Sequence, residues 1–398
     1  MTEFARHAGS LTESATLRLV SRAKELRAAG KEIFSFSAGE PDFDTPEPVK
    51  EAAIKAIREG FTKYTPVAGI PELRAAVAKK FAADGLAGLT PDRTIVGIGA
   101  KSVLFDAIQV LCQEDDEVVL FAPYWVSYPE MVRATGAKAV VVETRPADGY
   151  VIDPDRLGKA MTKRTKAIFL NSPGNPTGAV QPDEVQRAIG RLAAKRGVIV
   201  IADEIYEHLA YAPARFSSFA KICPEAAEVT FLVNGTSKAY SMTGWRIGYG
   251  AGPKGLVERM IRLQSHATSG PAGICQKAAL AALTGPLDTV HAMRDAFDRR
   301  RRTMVDALKK IEGVTCPVPQ GAFYAFPDVS AFFGRRAGGA KLDDGASLAE
   351  ALLEREGVAV VPGETFGAPY ALRLSYACCD DEIDKGMRRV ERFFSSLG

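Results

Sequence analysis

Seven short apolar runs constrain this chain more than any other feature. They read "TIVGIG" (94–99), "EVVLFA" (117–122), "KAVVVE" (138–143), "KAIFLNS" (166–172), "GVIVIADE" (197–204), "VTFLVNG" (229–235) and "RIGYGAG" (246–252). Their valine, isoleucine and leucine content is nearly continuous rather than alternating, the mark of strands buried on both faces. Between most of them lie helical stretches such as Pro182 to Arg196. Strand–helix alternation implies an α/β fold, a mostly parallel central sheet with helices on both faces. That unit is expected over 46–285. After a break at Gly285-Pro286, a long helix leads into the shorter strands of "GAFYAFPDVS" and "VAVVPGETFG", a smaller α+β unit over 286–398. Residues 1–45 read as helix and loop with no strand series, an arm that crosses back to pack with the C-terminal unit.

A length of 398 residues agrees with two or three such units. Lysine plus arginine (51) nearly balances aspartate plus glutamate (48), leaving +3, which argues against a nucleic-acid partner. The one dense basic run, "RRRR" at 299–302, falls within a helical pattern (Val290, Met293, Phe297, Met304, Leu308, Ile311) and reads as a solvated helix face. No stretch approaches the ~18 apolar residues of a membrane span. The N-terminus lacks the apolar block and cleavage site of a signal peptide. Six scattered cysteines without CxxC spacing and four separated histidines suggest neither a disulfide framework nor a metal site. Reducing cytoplasm is the expected setting.

Ligands of α/β sheets bind beyond the carboxyl ends of the strands, so the residues following each run are informative. After "TIVGIG", Gly99, Ala100 and Lys101 open a helix whose first amides could cradle a phosphate, or form an ordinary tight turn. The segment lacks the third glycine of a dinucleotide fingerprint and is not a P-loop. Trp125 follows "EVVLFA" and could stack on a planar ring or fill a core. Asn175 follows "KAIFLNS" in a Pro/Gly/Asn cluster, where it could bond a phenolic oxygen or shape the turn. Asp203 and Glu204 end "GVIVIA". Asp203 could hold a pyridine nitrogen protonated or cap a helix, with Tyr206 one helical turn on. Lys238 follows "VTFLVNG" behind Gly235, Thr236 and Ser237, and Arg246 comes eight positions later. A phosphate cradle, an aromatic plate, an amide, a carboxylate, a tyrosine, a lysine and an arginine converge at one sheet edge. The cofactor that demands this set is pyridoxal 5'-phosphate.

Taken together, "AGEPDFDTP" (38–46), "KYTPVAGIPELR" (63–74), "APYWVSYPEM" (122–131), "NPTG" (175–178), "DEIYEHL" (203–209), "SKAYSMTGWRIGY" (237–249) and "RLSYA" (373–377) are recognisable. The chain resembles the class I, fold-type I pyridoxal-phosphate aminotransferases, within them the bacterial aspartate aminotransferase branch, from "SATLRL" (14–19) to "LRLSYA" (372–377). The resemblance implies that Lys238 is the Schiff-base lysine and proton carrier and that Asp203 partners the pyridine nitrogen. Tyr206 and Asn175 would bond the phenolic oxygen, and Trp125 would stack on the ring. Arg246 and the amides of Gly99, Ala100 and Lys101 would hold the phosphate. Tyr64 would reach the phosphate of a neighbouring subunit, which implies a homodimer with shared sites. Arg373 would clamp the substrate α-carboxylate, with Gly39 closing over it.

For substrate, the resemblance implies that Lys101, with hydroxyls from Ser14 and Thr16, reads a distal carboxylate. It favours reversible amino transfer from L-aspartate to 2-oxoglutarate, giving oxaloacetate and L-glutamate. Relatives that also accept prephenate carry a lysine just before "SAT", where this chain has Leu11, Thr12 and Glu13. Gly174 stands where many relatives have asparagine, and Thr236 and Ser237 where alanines are common. Rival expectations are an aromatic or alanine aminotransferase, an aspartate/prephenate aminotransferase, a C–S β-lyase, or a non-catalytic binder on the same fold.

Overall fold

The computed structural model of the protein describes Gly9 and Ala15–Leu397. All seven apolar runs are strands of one sheet: β1 (Thr94–Ile98), β2 (Glu117–Ala122), β3 (Lys138–Glu143), β4 (Thr165–Asn171), β5 (Ile199–Asp203), β6 (Thr230–Gly235) and β7 (Ile247–Ala251). Their order is β1-β7-β6-β5-β4-β2-β3, parallel except β7, which runs antiparallel to both neighbours. The period-two geometry of a strand divides its side chains between two cores. Val119, Ile168, Leu170, Val200 and Leu232 pack on one face with Leu73, Phe81 and Ile189 from the helices Pro71–Ala83 and Asp183–Arg196. Val118, Leu120, Phe169, Ile201 and Phe231 pack on the other with Val103, Ile108 and Val257 from Gly99–Leu111 and Lys254–Ala267. Full burial of one such side chain stabilises by roughly 1.5–3 kcal/mol, and both faces are covered, which is why the runs are continuous. At the sheet edge β3 is mostly exposed, and it carries lysine and glutamate at its ends.

The long helix Asp288–Lys309 carries Met293, Phe297 and Met304 into a further core with Phe323, Tyr376 and Phe393. That core also contains a three-stranded antiparallel sheet, β8 (Tyr324–Ala325), β9 (Val361–Pro362) and β10 (Leu372–Ser375), ordered β9-β10-β8. Near the N-terminus, the helix Ala15–Ala28 precedes a two-residue strand, Phe34–Ser35, paired in parallel with Val358–Ala359. Ala23, Leu26 and Ile33 pack with Leu353 and Ala359.

Two local expectations are corrected. Arg299 and Arg302 are exposed, but Arg300 and Arg301 are buried, so the basic run is a solvated face in only half its members. Their carboxylate partners, Asp42 and Asp298, make burial possible. Residues 205–208 form turns rather than a helix, so Asp203 caps no helix there and Tyr206 lies around a turn from it.

Candidate active site

The carboxyl ends of β1, β2, β4, β5 and β6 share one edge. Because β7 is antiparallel, its amino end lies at that edge too. The connection from Gly235 to Ile247 therefore leaves and rejoins the sheet on the same side, carrying Lys238 and Arg246. Above this edge is a cavity of about 670 Å³. It brings together ten of the expected site residues: Gly39, Ala100, Lys101, Trp125, Asn175, Asp203, Tyr206, Lys238, Arg246 and Arg373.

Asp203 is buried at the end of β5, and its Oδ2 accepts a 2.7 Å hydrogen bond from the Tyr128 hydroxyl. Its Oδ1 accepts from the Ile205 amide at 3.2 Å. Burial pushes its pKa up to about 6, opposed by these two donors and the positive Lys238. Asn171, opposite Asp203 in the β4–β5 register, donates its side-chain amide to the Asp203 carbonyl at 2.9 Å. The Asn171 side-chain oxygen accepts from the Asn175 amide at 2.8 Å. The Lys238 ammonium donates to the Gly39 carbonyl at 2.5 Å. Burial lowers its pKa to about 8, so the neutral amine is far more accessible near neutral pH than in an exposed lysine.

Arg373, in β10, is 4 % exposed, and its polar contacts are to neutral oxygens: Nη1 donates to Asn175 Oδ1 at 3.1 Å and Nη2 to the Ser37 carbonyl at 2.9 Å. Its Nε is buried without a hydrogen-bond partner among the described residues. The guanidinium lies over the Tyr324 ring at 4.5 Å and the Phe366 ring at 5.0 Å. A buried cation with unfilled donor capacity is suited to a carboxylate. The Tyr206 hydroxyl meets that of Tyr324 at 2.9 Å, and burial raises its pKa well above the ordinary phenol value.

Arg246 has a positive φ of 56° and donates to the Thr243 carbonyl at 2.8 Å. It faces the start of the helix Gly99–Leu111, where a Cβ on Gly99 would stand 2.5 Å from Arg246 Nη2. A Cβ on Gly248 would stand 2.0 Å from the Ala100 amide nitrogen, so glycine there lets the helix start settle on β7. The helix start and Arg246 thus stand side by side, an arrangement suited to an anion. The Lys101 ammonium lies 4.8 Å above the Trp125 ring, and burial together with Arg246 lowers its pKa.

Tyr64 is not part of this cavity; its side chain is 100 % exposed in the single chain. Ser14, with Leu11, Thr12 and Glu13, lies outside the described residues, as does the side chain of Thr16. Sequence reasoning missed Tyr128, Asn171 and Tyr324. A helical step of three from Trp125 in "WVSY" was the available signal for Tyr128; Asn171 and Tyr324 carried none.

Comparison with known proteins identifies the family. Residues 31–390 match the profile of aminotransferase class I and II, and the chain belongs to that family. It is 46% identical to the aspartate aminotransferase of Geobacillus stearothermophilus over 394 residues, 99% of each chain. It is 45% identical to the aspartate/prephenate aminotransferase of Thermus thermophilus over 395 residues, 98% of this chain and 99% of that one. The solved structure of the Thermus thermophilus aspartate aminotransferase with maleate superposes with a TM-score of 0.92 at 45% identity, covering 99% of this chain and 100% of that one. The protein is an aminotransferase.

Proposed function

We propose that the protein transfers the amino group of L-aspartate reversibly to 2-oxoglutarate, forming oxaloacetate and L-glutamate, with pyridoxal 5'-phosphate as cofactor. One observation carries the reading: Lys238, its pKa lowered to about 8, shares a cavity with two separate cations, Arg373 and Lys101. A dicarboxylic amino acid offers an anion to each. The relative whose structure contains maleate, a four-carbon dicarboxylate, supports this choice.

The fit of the cofactor is supported by the Gly99–Arg246 cradle and by the buried Asp203 carboxylate at the same cavity. Arg246 and the first amides at Gly99, Ala100 and Lys101 would hold the phosphate. Trp125 would cover the ring, Asp203 would face its nitrogen, and Asn175 and Tyr206 would bond its phenolic oxygen. When bound, pyridoxal phosphate supplies an electron sink for the substrate α-carbon. Lys238 would hold it and, as a neutral amine, would carry the proton away from that carbon. Arg373 fixes the α-carboxylate under Gly39, while Lys101, aided by Ser14 and Thr16, reads the distal carboxylate.

This reading divides the chain into an arm (1–45), a cofactor-binding unit (46–285) and a smaller unit (286–398). It also makes the enzyme a cytoplasmic homodimer in which Tyr64, fully exposed in one chain, enters the partner's site. Among the described residues no helix is long and apolar enough to cross a membrane.

The test is the visible spectrum of cofactor-loaded protein before and after L-aspartate, without an oxo acid. The expected result is conversion of the cofactor band to that of pyridoxamine phosphate. A response to alanine or phenylalanine but not aspartate would overturn the substrate, and failure to take up cofactor would overturn the catalytic reading.

A further inference from the structure

The buried half of the basic run has no place in the chemistry above, yet one of its members, Arg300, pairs with a segment whose first residues line the cavity. Arg300, 6 % exposed, holds Asp42 in a two-point fork: Nη1 donates to Oδ1 at 2.7 Å and Nη2 to Oδ2 at 3.0 Å. Asp380 Oδ1 lies 3.6 Å from its Nε. The guanidinium also lies 5.0 Å from the Phe43 ring centroid and 5.7 Å from that of Phe297, and those two rings meet edge-on at 5.5 Å.

Asp42 and Phe43 belong to the segment 38–45, which contains no helix or strand. Side-chain ties must therefore fix its path. Glu40 accepts from the Thr243 hydroxyl at 2.9 Å. Thr45 donates to the Ser241 carbonyl at 2.8 Å and accepts from the Trp245 indole at 3.0 Å. The Gly39 carbonyl accepts from Lys238, and Ala38, Gly39 and Glu40 line the cavity. The segment is a strap across the site, fastened to the Lys238–Arg246 connection at several points. Among the described residues, only the Arg300 fork fastens it to the long helix by a charge pair. An ion pair with one partner open to solvent, as Asp42 is, adds little net stability, but a bidentate fork fixes direction.

We propose that Arg300 and Asp42 are a positioning pair that holds the strap 38–45 in its substrate-binding arrangement before the amino acid arrives. The proposal rests on the dicarboxylate reading only for its choice of ligand. If the fork is broken, the strap spends part of its time away from the site. Apparent affinity then falls in proportion to the lost competent fraction, while the reaction of bound substrate at Lys238 is little changed.

Asp42→Asn and Arg300→Met are each expected to raise KM for aspartate and the calorimetric Kd for maleate by about tenfold, with kcat altered less than about threefold. The double variant should match either single variant, because both remove one tie. Asp42→Glu, which keeps the charge, should stay within about threefold of wild type. Arg300→Lys serves if Arg300→Met does not fold. Hydrogen exchange at amides 39–45 needs no substrate and should quicken about tenfold in Asp42→Asn, with β5 and β6 unchanged. Unchanged exchange and Kd in folded Asp42→Asn would overturn the pair, as would a double variant whose effect is the product of the singles. A wild type that binds no maleate but whose strap exchange still responds to Asp42→Asn would overturn the substrate reading alone.

Discussion

The Tyr128 hydroxyl donates to the Asp203 carboxylate at 2.7 Å, from a ring stacked 4.3 Å from Phe169 and edge-on to Trp125 at 5.4 Å. Two opposing influences meet at Asp203. Burial pushes its proton affinity up, and Tyr128 is the largest influence pulling it down. The residue is therefore poised, and its charge depends on a side chain that does no chemistry itself.

Tyr128→Phe removes that donor while keeping the ring. The Asp203 pKa should rise above its value of about 6, and the group is lost as an anion when pH falls through that value. A hydrogen bond to a charged group contributes roughly 1.5–3 kcal/mol, so kcat/KM should fall about tenfold or more near pH 6 and less at pH 8. Parallel pH profiles for the variant and wild type would mean that Tyr128 does not set this charge.

Lys238→Ala removes the amine whose depressed pKa suits it to proton transfer. Steady-state turnover should drop by roughly 10²–10⁴-fold or more, with tertiary structure retained by near-ultraviolet circular dichroism. Residual turnover within tenfold of wild type would place the base elsewhere.

Substrate choice should respond to the two cations separately. Lys101→Ala is expected to lower kcat/KM for aspartate by roughly tenfold or more relative to alanine, since alanine has no distal carboxylate. Arg373→Lys keeps charge but loses the planar fork, and should lower kcat/KM for both amino acids. An unchanged aspartate-to-alanine ratio in Lys101→Ala would show that the distal carboxylate is read by another group.

Glu204 predicts a pH dependence of stability. Burial raises its pKa to about 8, against the bond it accepts from the Phe219 amide at 2.7 Å and the charge of Lys80. The folded state therefore binds this proton more tightly than the unfolded chain, whose glutamates titrate near about 4.3. Its contribution is fully present below about pH 4.3 and is lost as pH rises through about 8. Glu204→Gln, isosteric and always neutral, should flatten the fall in Tm between pH 5 and 8. Each kcal/mol is worth roughly 2–4 °C in domains of 150–250 residues. Identical Tm profiles would show that Glu204 is charged in the fold.

Much of the fold was legible because strand burial on both faces is written locally. The seven runs needed no partner to be read, and their ends fell within two residues of those observed. Asp203 at the end of its run, and Lys101, Trp125, Asn175 and Lys238 just beyond theirs, were legible for the same reason, since a strand's carboxyl end aims the next few residues at the ligand edge. Arg373 and Gly39 were reached through family resemblance rather than through any local pattern.

What tertiary structure alone decided is which of several equivalent side chains meets which partner. Four consecutive arginines look alike in sequence. Arg300 is buried and Arg299 exposed because Asp42, 258 residues away, waits on one side of the helix. Tyr128, among many aromatic residues, becomes important because β2 and β5 bring it to Asp203. Lys238 has its lowered pKa through burial, helped by Arg373, 135 positions along the chain, and opposed by Glu40, 198 positions back. Periodic burial is a short-range property of the backbone and survives in one dimension. Desolvation and charge pairing depend on distances in space, which exist only once the chain has closed on itself.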